Sequence, residues 1–345
     1  MRIGGREIGP GHPPYVIAEI GVNHDGEVSR ALELTDAAAQ AGADAVKLQY
    51  FETDRLMSKA AKLAAYQKAA GETDPVAMLR RLELTLDEMA MVVERAHERG
   101  VHAIVTVFSV ELVEPASRLR WDAFKTASPD LVHLPLLLAM RETGRPLIVS
   151  TGASDLAEVE KTAGWLKHIR KNLAFLQCVS CYPAPMPALE GISAIAQAVK
   201  LPTGYSDHTP GIESGGLAVR AGACILEKHL TYDSTAKGPD HSASLEPDAL
   251  TEYILGALDA DFGTDIDAIV PLKAVLDCER DVQGVARQGM VTTRAIAKGD
   301  RVDASAVTLK RGGGIPPEYF DDFTDGIAQR DIPDDDPVWW GDLIG

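Results

Sequence analysis

The sequence predicts an α/β protein built on a parallel (β/α)8 barrel, a TIM barrel, with a smaller unit of different composition behind it. Three observations carry the prediction. Short apolar runs alternate with amphipathic helical stretches eight times within about 250 residues, a usual length for such barrels. Nearly every run ends in a polar or charged residue, which is costly unless that residue is paired or used. From about residue 290 the chain turns to short strand-like pieces broken by Gly and Pro. A doubly wound open sheet is the alternative, but no Gly-x-Gly-x-x-Gly turn follows the first run.

The first strand is expected at 15–20, followed by a loop containing Gly21, Asn23, His24, Asp25 and Gly26. A helix follows with Leu34, Ala37, Ala38 and Ala41 on one face, and Gly42 stops it. The second strand spans 44–50. A helix over 86–98 ends at Gly100, and strands follow at 101–108, 121–125 and 146–150. Asp155, with Glu158 three residues on, caps a helix that buries Leu156, Val159, Ala163 and Leu166. Strands at 174–178 and 201–205, a helix at 213–220 and a strand at 224–227 complete the eight. A helix at 250–258, an acidic irregular stretch at 259–267 and a helical segment at 271–283 lead to the small unit. The division that follows is a barrel at 1–270, a linker helix at 271–289 and a C-terminal domain at 290–345.

With 46% hydrophobic residues the chain can bury a large core. No apolar run is long enough to span a bilayer, and the first residues lack the basic and apolar regions of a signal peptide, so the expected location is cytoplasmic. Four cysteines are too few for a disulfide framework. Cys178 and Cys181 have zinc spacing, but no second pair completes a site, and they are read as structural. A net charge of -17 argues against nucleic acid or an anionic membrane as partner. It also means that an anionic small molecule needs a local positive pocket. Lys47 and Lys125, each ending an apolar strand, are the residues that could build one.

Two segments concentrate chemistry: Gly204-Tyr-Ser-Asp-His-Thr209 and Glu227-Lys-His229. Each places a histidine just past an apolar run. Imidazoles at two adjacent strand ends can share one divalent metal, which makes His208 and His229 a candidate ligand pair. Asp207, Glu227, Asp240 and Lys228 put charge of both signs around them.

These stretches resemble the motifs of a known family. Ala18-Glu-Ile-Gly-Val-Asn-His-Asp-Gly26, Val46-Lys-Leu-Gln49, Phe124-Lys-Thr-Ala-Ser128, Ser150-Thr-Gly152, Cys178-Val-Ser-Cys-Tyr-Pro183 and Gly238-Pro-Asp-His241, with the two histidine segments, resemble the sialic acid synthases. Those enzymes make N-acetylneuraminate and related nonulosonates from phosphoenolpyruvate. Lys310-Arg-Gly-Gly-Gly-Ile-Pro316 is similar to the signature of their C-terminal antifreeze-like domain, a β-clip fold also called SAF. The resemblance implies a transferase that condenses phosphoenolpyruvate with an N-acetylmannosamine-type aldose, an N-acylated hexosamine, to give a nine-carbon 2-keto acid and phosphate. It implies that Lys47, Lys125, Ser128, Ser150, Ser180 and Ser206 hold phosphoenolpyruvate. By the same resemblance Gln49, Tyr182, Asp240 and Arg311 contact the sugar, and Glu227 supports the sugar or the metal. Glu19 would act as general base on the attacking water, with Asp240 and Lys125 completing the catalytic set. His208 and His229 would hold manganese, with magnesium or cobalt as substitutes, to polarise the aldehyde.

The family also implies a domain-swapped homodimer in which Arg311 acts in trans. Three departures from its pattern stand out: Ser180 in place of Asn, Asp130 in place of Glu, and Gly312 in place of Pro, the last implying a less rigid loop around Arg311. Rival readings are a synthase for legionaminate or pseudaminate, a synthase for a keto-sugar phosphate, and a non-catalytic sugar-binding barrel. The last would be expected to lose Glu19, a histidine or Lys125, and all are present.

Overall fold

A computed structural model of the chain describes residues 1–265, 269–323 and 325–344. Its barrel strands are β1 (Tyr15–Gly21), β2 (Ala45–Tyr50), β3 (His102–Val107), β4 (Ala123–Thr126), β5 (Leu147–Ser150), β6 (Leu173–Cys178), β7 (Thr203–Asp207) and β8 (Ile225–His229). They hydrogen-bond in chain order, and β8 closes onto β1.

Side chains alternate across each strand, and this sorts the sequence into layers. Ile17, Ala45, Ile104, Ala123, Ile148 and Ile225 pack together inside the barrel. Val16, Val46, Val105, Phe124 and Leu226, one residue away, join the shell of helices outside. Two residues further along, the inward positions become Glu19, Lys47, Thr106, Lys125, Ser150 and Glu227, all of which line one cavity. The barrel therefore has an apolar lower layer and a charged upper one. The lower end is closed by a hairpin of Arg2–Ile3 with Arg6–Glu7, whose neighbours Ile3 and Ile8 join the inner cluster. Periodicity could not reveal it, because each strand is two residues long.

The expected strand at 201–205 lies two residues later, and the last strand runs on through His229. Alternation then separates residues that the sequence grouped together. Ser206, Glu227 and His229 face the cavity, while Asp207 and Lys228 point to the helices behind. Lys228 Nζ pairs with Asp207 Oδ2 at 3.1 Å, and both side chains are fully buried. Asp207 Oδ1 accepts from the Thr209 N–H at 2.8 Å and from its hydroxyl at 2.7 Å, Ser214 donates to Oδ2, and Lys228 donates to the Thr209 carbonyl. The expectation that these two charges surround the histidines is corrected: they brace β7 and β8 from outside.

The segment expected to be helical over 271–283 is extended at first, with Leu272 exposed and Lys273 buried. A 3-10 turn (Asp277–Glu279) and a short helix (Arg280–Ala286) follow. In the acidic stretch before it Asp265 pairs with Arg220 at 2.9 Å, and Asp267 lies outside the described residues. The small domain pairs β9 (Gln288–Thr292) with β11 (Val307–Arg311), and β12 (Asp325–Ala328) lies between β10 (Arg301–Asp303) and β13 (Leu343–Ile344), paired to both. Its core of Met290, Ile296, Val302, Leu309, Ile315 and Val338 is small, and the domain sits on the barrel mouth. Met57 bridges Arg311 by backbone, Gln288 Nε2 donates to the Phe108 carbonyl at 2.7 Å, and Lys59 pairs with Asp334 at 3.1 Å. Among the described residues no helix is long and apolar enough to cross a membrane.

Asp207→Ala leaves a buried ammonium without its partner. The expected loss is about 3–5 kcal/mol in urea unfolding. Asp207→Ala combined with Lys228→Met is expected to recover part of it. Equal stabilities for the single and double variants would contradict the pairing.

Candidate active site

Every residue to which the family resemblance assigns a role lines a single cavity at the barrel mouth. Its floor is an ion cluster. Lys47 Nζ lies 3.0 Å from Glu19 Oε2 and 3.5 Å from Glu227 Oε2, and donates to Thr106 Oγ1 at 3.1 Å. Lys125 Nζ lies 3.2 Å from Glu227 Oε1 and donates to Ser150 Oγ at 2.7 Å. Ser206 donates to Glu227 Oε1 at 2.8 Å. Glu227, expected beside the sugar or metal, thus has both oxygens engaged by the two lysines and Ser206. Strand register dictates this: Glu19 sits opposite Lys47, and Glu227 opposite Ser206.

Burial raises a carboxylate and these cations lower it, so the balance decides each group. Burial would push Glu227 up, but Lys125 and Lys47 prevail and hold it at about 2. Burial prevails at Glu19, which Lys47 offsets only in part, and its carboxyl lies above the usual range. Asp240 is pushed up to about 6 by burial, then by Glu19. Burial lowers Lys125, whereas Glu19 and Glu227 together outweigh burial at Lys47 and raise it.

Beside the lysines lies a cradle of small polar groups. Gly152 donates its N–H to Ser128 Oγ at 3.0 Å. A Cβ at Gly152 would stand 2.2 Å from Ser180 Oγ and 2.8 Å from Ser128 Oγ, so only glycine allows this approach. The small Ser180 side chain fits the same crowded corner.

In the same cavity the His208 and His229 ring centroids are 5.4 Å apart. His208 Nδ1 lies 2.8 Å from the Val179 carbonyl; as the donor there, it leaves Nε2 free as a ligand. His229 Nδ1 is buried without a hydrogen-bond partner, 3.9 Å from Asp240 Oδ2. Burial, then His208, holds the His229 imidazole well below its ordinary range and so in the neutral, ligating form. Among the described residues no third His, Cys, Asp or Glu joins a metal-holding group, so the pair would leave coordination positions open.

Tyr182 stacks between His208 (centroids 4.0 Å) and Tyr66 (4.7 Å). Tyr66 was not legible as a site residue, since nothing around it carries a motif; helix Arg280–Ala286 fixes its segment, where Asp281 accepts from the Ala65 N–H at 2.6 Å. Arg311 completes the rim, its guanidinium 5.6 Å from the Phe108 ring centroid. Ser58 binds the Arg311 carbonyl through its hydroxyl (2.7 Å) and its N–H (3.1 Å). Gly312 has φ +135 and a Cβ there would meet Ser58 Oγ at 2.1 Å, which accounts for glycine at this position. Two other polar strand-end residues serve the fold: Asn23 donates to the Leu230 carbonyl and Ser244, and Thr151 to the Leu176 carbonyl.

The profile of the NeuB family matches residues 34–260, and that of the SAF domain matches residues 287–344. The chain belongs to the NeuB family. An uncharacterized protein of Methanocaldococcus jannaschii is 33% identical over 100% of this chain and 99% of its own length. An N,N'-diacetyllegionaminic acid synthase of Legionella pneumophila is 34% identical over 94% of this chain and 93% of that protein. The crystal structure of the spore coat polysaccharide biosynthesis protein SpsE of Bacillus subtilis superposes with a TM-score of 0.82 at 30% identity, covering 100% and 99% of the two chains. Glu19 lies in barrel register with Lys47 on one side and His229 on the other.

In this NeuB-family chain Asp130 lies buried beneath the rim, 3.2 Å from Gln288 Nε2. Burial pushes its carboxyl up to about 7, although Arg311 pulls the other way. A raised acid stabilises the fold when protonated, so this contribution is lost as pH rises from about 4 toward about 7. Asp130→Asn is therefore expected to raise stability at pH 8 by as much as about 4 kcal/mol, with no gain below about pH 4. Denaturant midpoints at both pH values check the sign.

Proposed function

We propose that the chain is a phosphoenolpyruvate-dependent transferase. It joins carbon 3 of phosphoenolpyruvate to the aldehyde carbon of an N-acetylmannosamine-type sugar, with water adding at carbon 2 and phosphate leaving. The products are a nine-carbon 2-keto acid and inorganic phosphate. The observation that carries the reading is that two buried lysines, a serine-lined cradle and a pair of ligand-competent imidazoles open into one cavity of a strongly acidic protein.

In this reading Lys47 and Lys125 neutralise the anion, and Ser128, Ser150, Ser180, Ser206 and the Gly152 corner bind its oxygens. A divalent ion on His208 and His229, manganese by preference and otherwise magnesium or cobalt, would polarise the aldehyde as a Lewis acid. Glu19 takes the proton of the attacking water at carbon 2. Burial raises its proton affinity, which favours uptake of that proton, and Gln49 Nε2, donating to Oε1 at 2.8 Å, fixes its orientation. Tyr182, Gln49, Asp240 and Arg311 orient the sugar, and the acidic chain works as a cytoplasmic homodimer with exchanged small domains. In the chain described, Arg311 lies in the cavity of its own barrel.

The test is phosphate release from phosphoenolpyruvate with manganese, across N-acetylmannosamine, its 6-phosphate and 2,4-diacetamido sugars. Release that requires both metal and an N-acylated hexosamine supports the reading, and the sugar with the highest kcat/KM names the acceptor. No release with any of them removes it. Glu19→Gln is expected to lower kcat by about 10²–10⁴-fold, with phosphoenolpyruvate binding by calorimetry retained.

A further inference from the structure

We infer that Glu279, on the segment joining barrel to small domain, is a positioning residue that shapes the phosphate cradle. The C-terminal segment then serves the phosphoenolpyruvate half of the site as well as the sugar half. The inference rests on the cradle's reading as an anion site.

Glu279 is 1% exposed and reaches down between two barrel loops. Its Oε1 accepts from the N–H of Ala153 at 2.7 Å and from the N–H of Ser180 at 2.8 Å. Oε2 accepts from the N–H of Leu276 at 2.9 Å, in its own segment. One atom thus fastens the loop after β5, which carries Gly152, to the loop after β6, which carries Ser180. A carboxylate oxygen can do this because two lone pairs meet two N–H donors, and its charge strengthens both bonds.

The fastened backbone is one that needs holding. Ala153 is fully buried and has φ +54, a left-handed conformation that residues with a Cβ rarely adopt. Its carbonyl accepts from Gln283 Nε2 at 2.9 Å and from Arg287 Nη2 at 3.0 Å. Ala153 is therefore gripped on both its N–H and its carbonyl by side chains of residues 279–287. Its neighbour Gly152 is the residue whose N–H meets Ser128 and whose missing Cβ admits Ser180. A buried negative charge beside an anion site would oppose binding, so geometry is the reason for it. Lys273, a buried ammonium of the same segment with no hydrogen-bond partner among the described residues, offsets that charge at longer range.

The experiment uses the full-length, manganese-loaded chain and the variants Glu279→Ala, Glu279→Gln and Gln283→Ala. Steady-state kinetics gives KM for phosphoenolpyruvate and for the sugar separately. Amide hydrogen exchange is read at 150–154 and 179–182. Glu279→Ala is expected to raise KM for phosphoenolpyruvate about tenfold or more, leave KM for the sugar within about twofold, and speed exchange in both segments. Glu279→Gln keeps the shared oxygen and is expected to restore KM to within about threefold. A folded Glu279→Ala with unchanged KM for phosphoenolpyruvate, or with both KM values rising equally, overturns the inference. If Glu279→Ala does not fold, Gln283→Ala decides, with a smaller rise in the same KM expected and no change overturning it. Should the wild type turn over no substrate, the functional reading fails. Exchange then still tests the clamp, and unchanged protection in the variants overturns it.

Discussion

The upper layer of the barrel depends on a charge balance centred on Glu227. Its carboxylate lies between Lys47 and Lys125, takes the Ser206 hydroxyl, and stays ionised at full burial because those cations outweigh desolvation. Removing one member leaves the others as unpaired buried charges, far costlier than losing a surface pair. The same balance keeps two lysines side by side in one cavity of a chain of net charge -17. Its two site lysines are held together by one carboxylate beneath the cavity, with Glu19 close to Lys47. The serines beside them add hydroxyls without adding charge.

Much of this was legible because strand period and barrel symmetry translate directly into position. Alternation from Ile17 to Glu19, or Ala45 to Lys47, announces an apolar floor under a polar layer. Eight such runs announce closure. The residues that the sequence singled out at strand ends duly share one cavity. What misled was where β7 and β8 end. They run on through Asp207 and His229, so alternation still holds there and turns Asp207 and Lys228 to the helices. What stayed hidden was long-range: the Arg2–Ile3 hairpin, Tyr66 and Glu279 acquire meaning only from partners many residues away. Local spacing carries no trace of them. Gly312 shows another long-range cause: the closeness of Ser58 leaves no room for a Cβ there.

The two parts of the chain divide the work unequally. The barrel carries the charges and the imidazoles, and its lower half is pure packing. The C-terminal segment adds little core of its own, yet Asp281, Glu279 and Arg311 each reach a different part of the mouth. A 3-10 turn, a short helix and one strand end thereby reach the cradle, the segment of the aromatic stack and the rim. Family membership and the shape shared with SpsE fit this plan over the whole chain.

The grip of Ser58 on the Arg311 carbonyl has a thermodynamic consequence. The arginine's backbone is bound by the barrel, so the small domain cannot lift away without carrying the guanidinium out of the rim. Seating of the domain and occupancy of the rim are therefore linked functions. Any ligand that contacts Arg311 strengthens the seat by the factor by which the seat strengthens that ligand's binding. Ligand affinity thus becomes a gauge of how firmly the small domain is seated on the barrel it contacts.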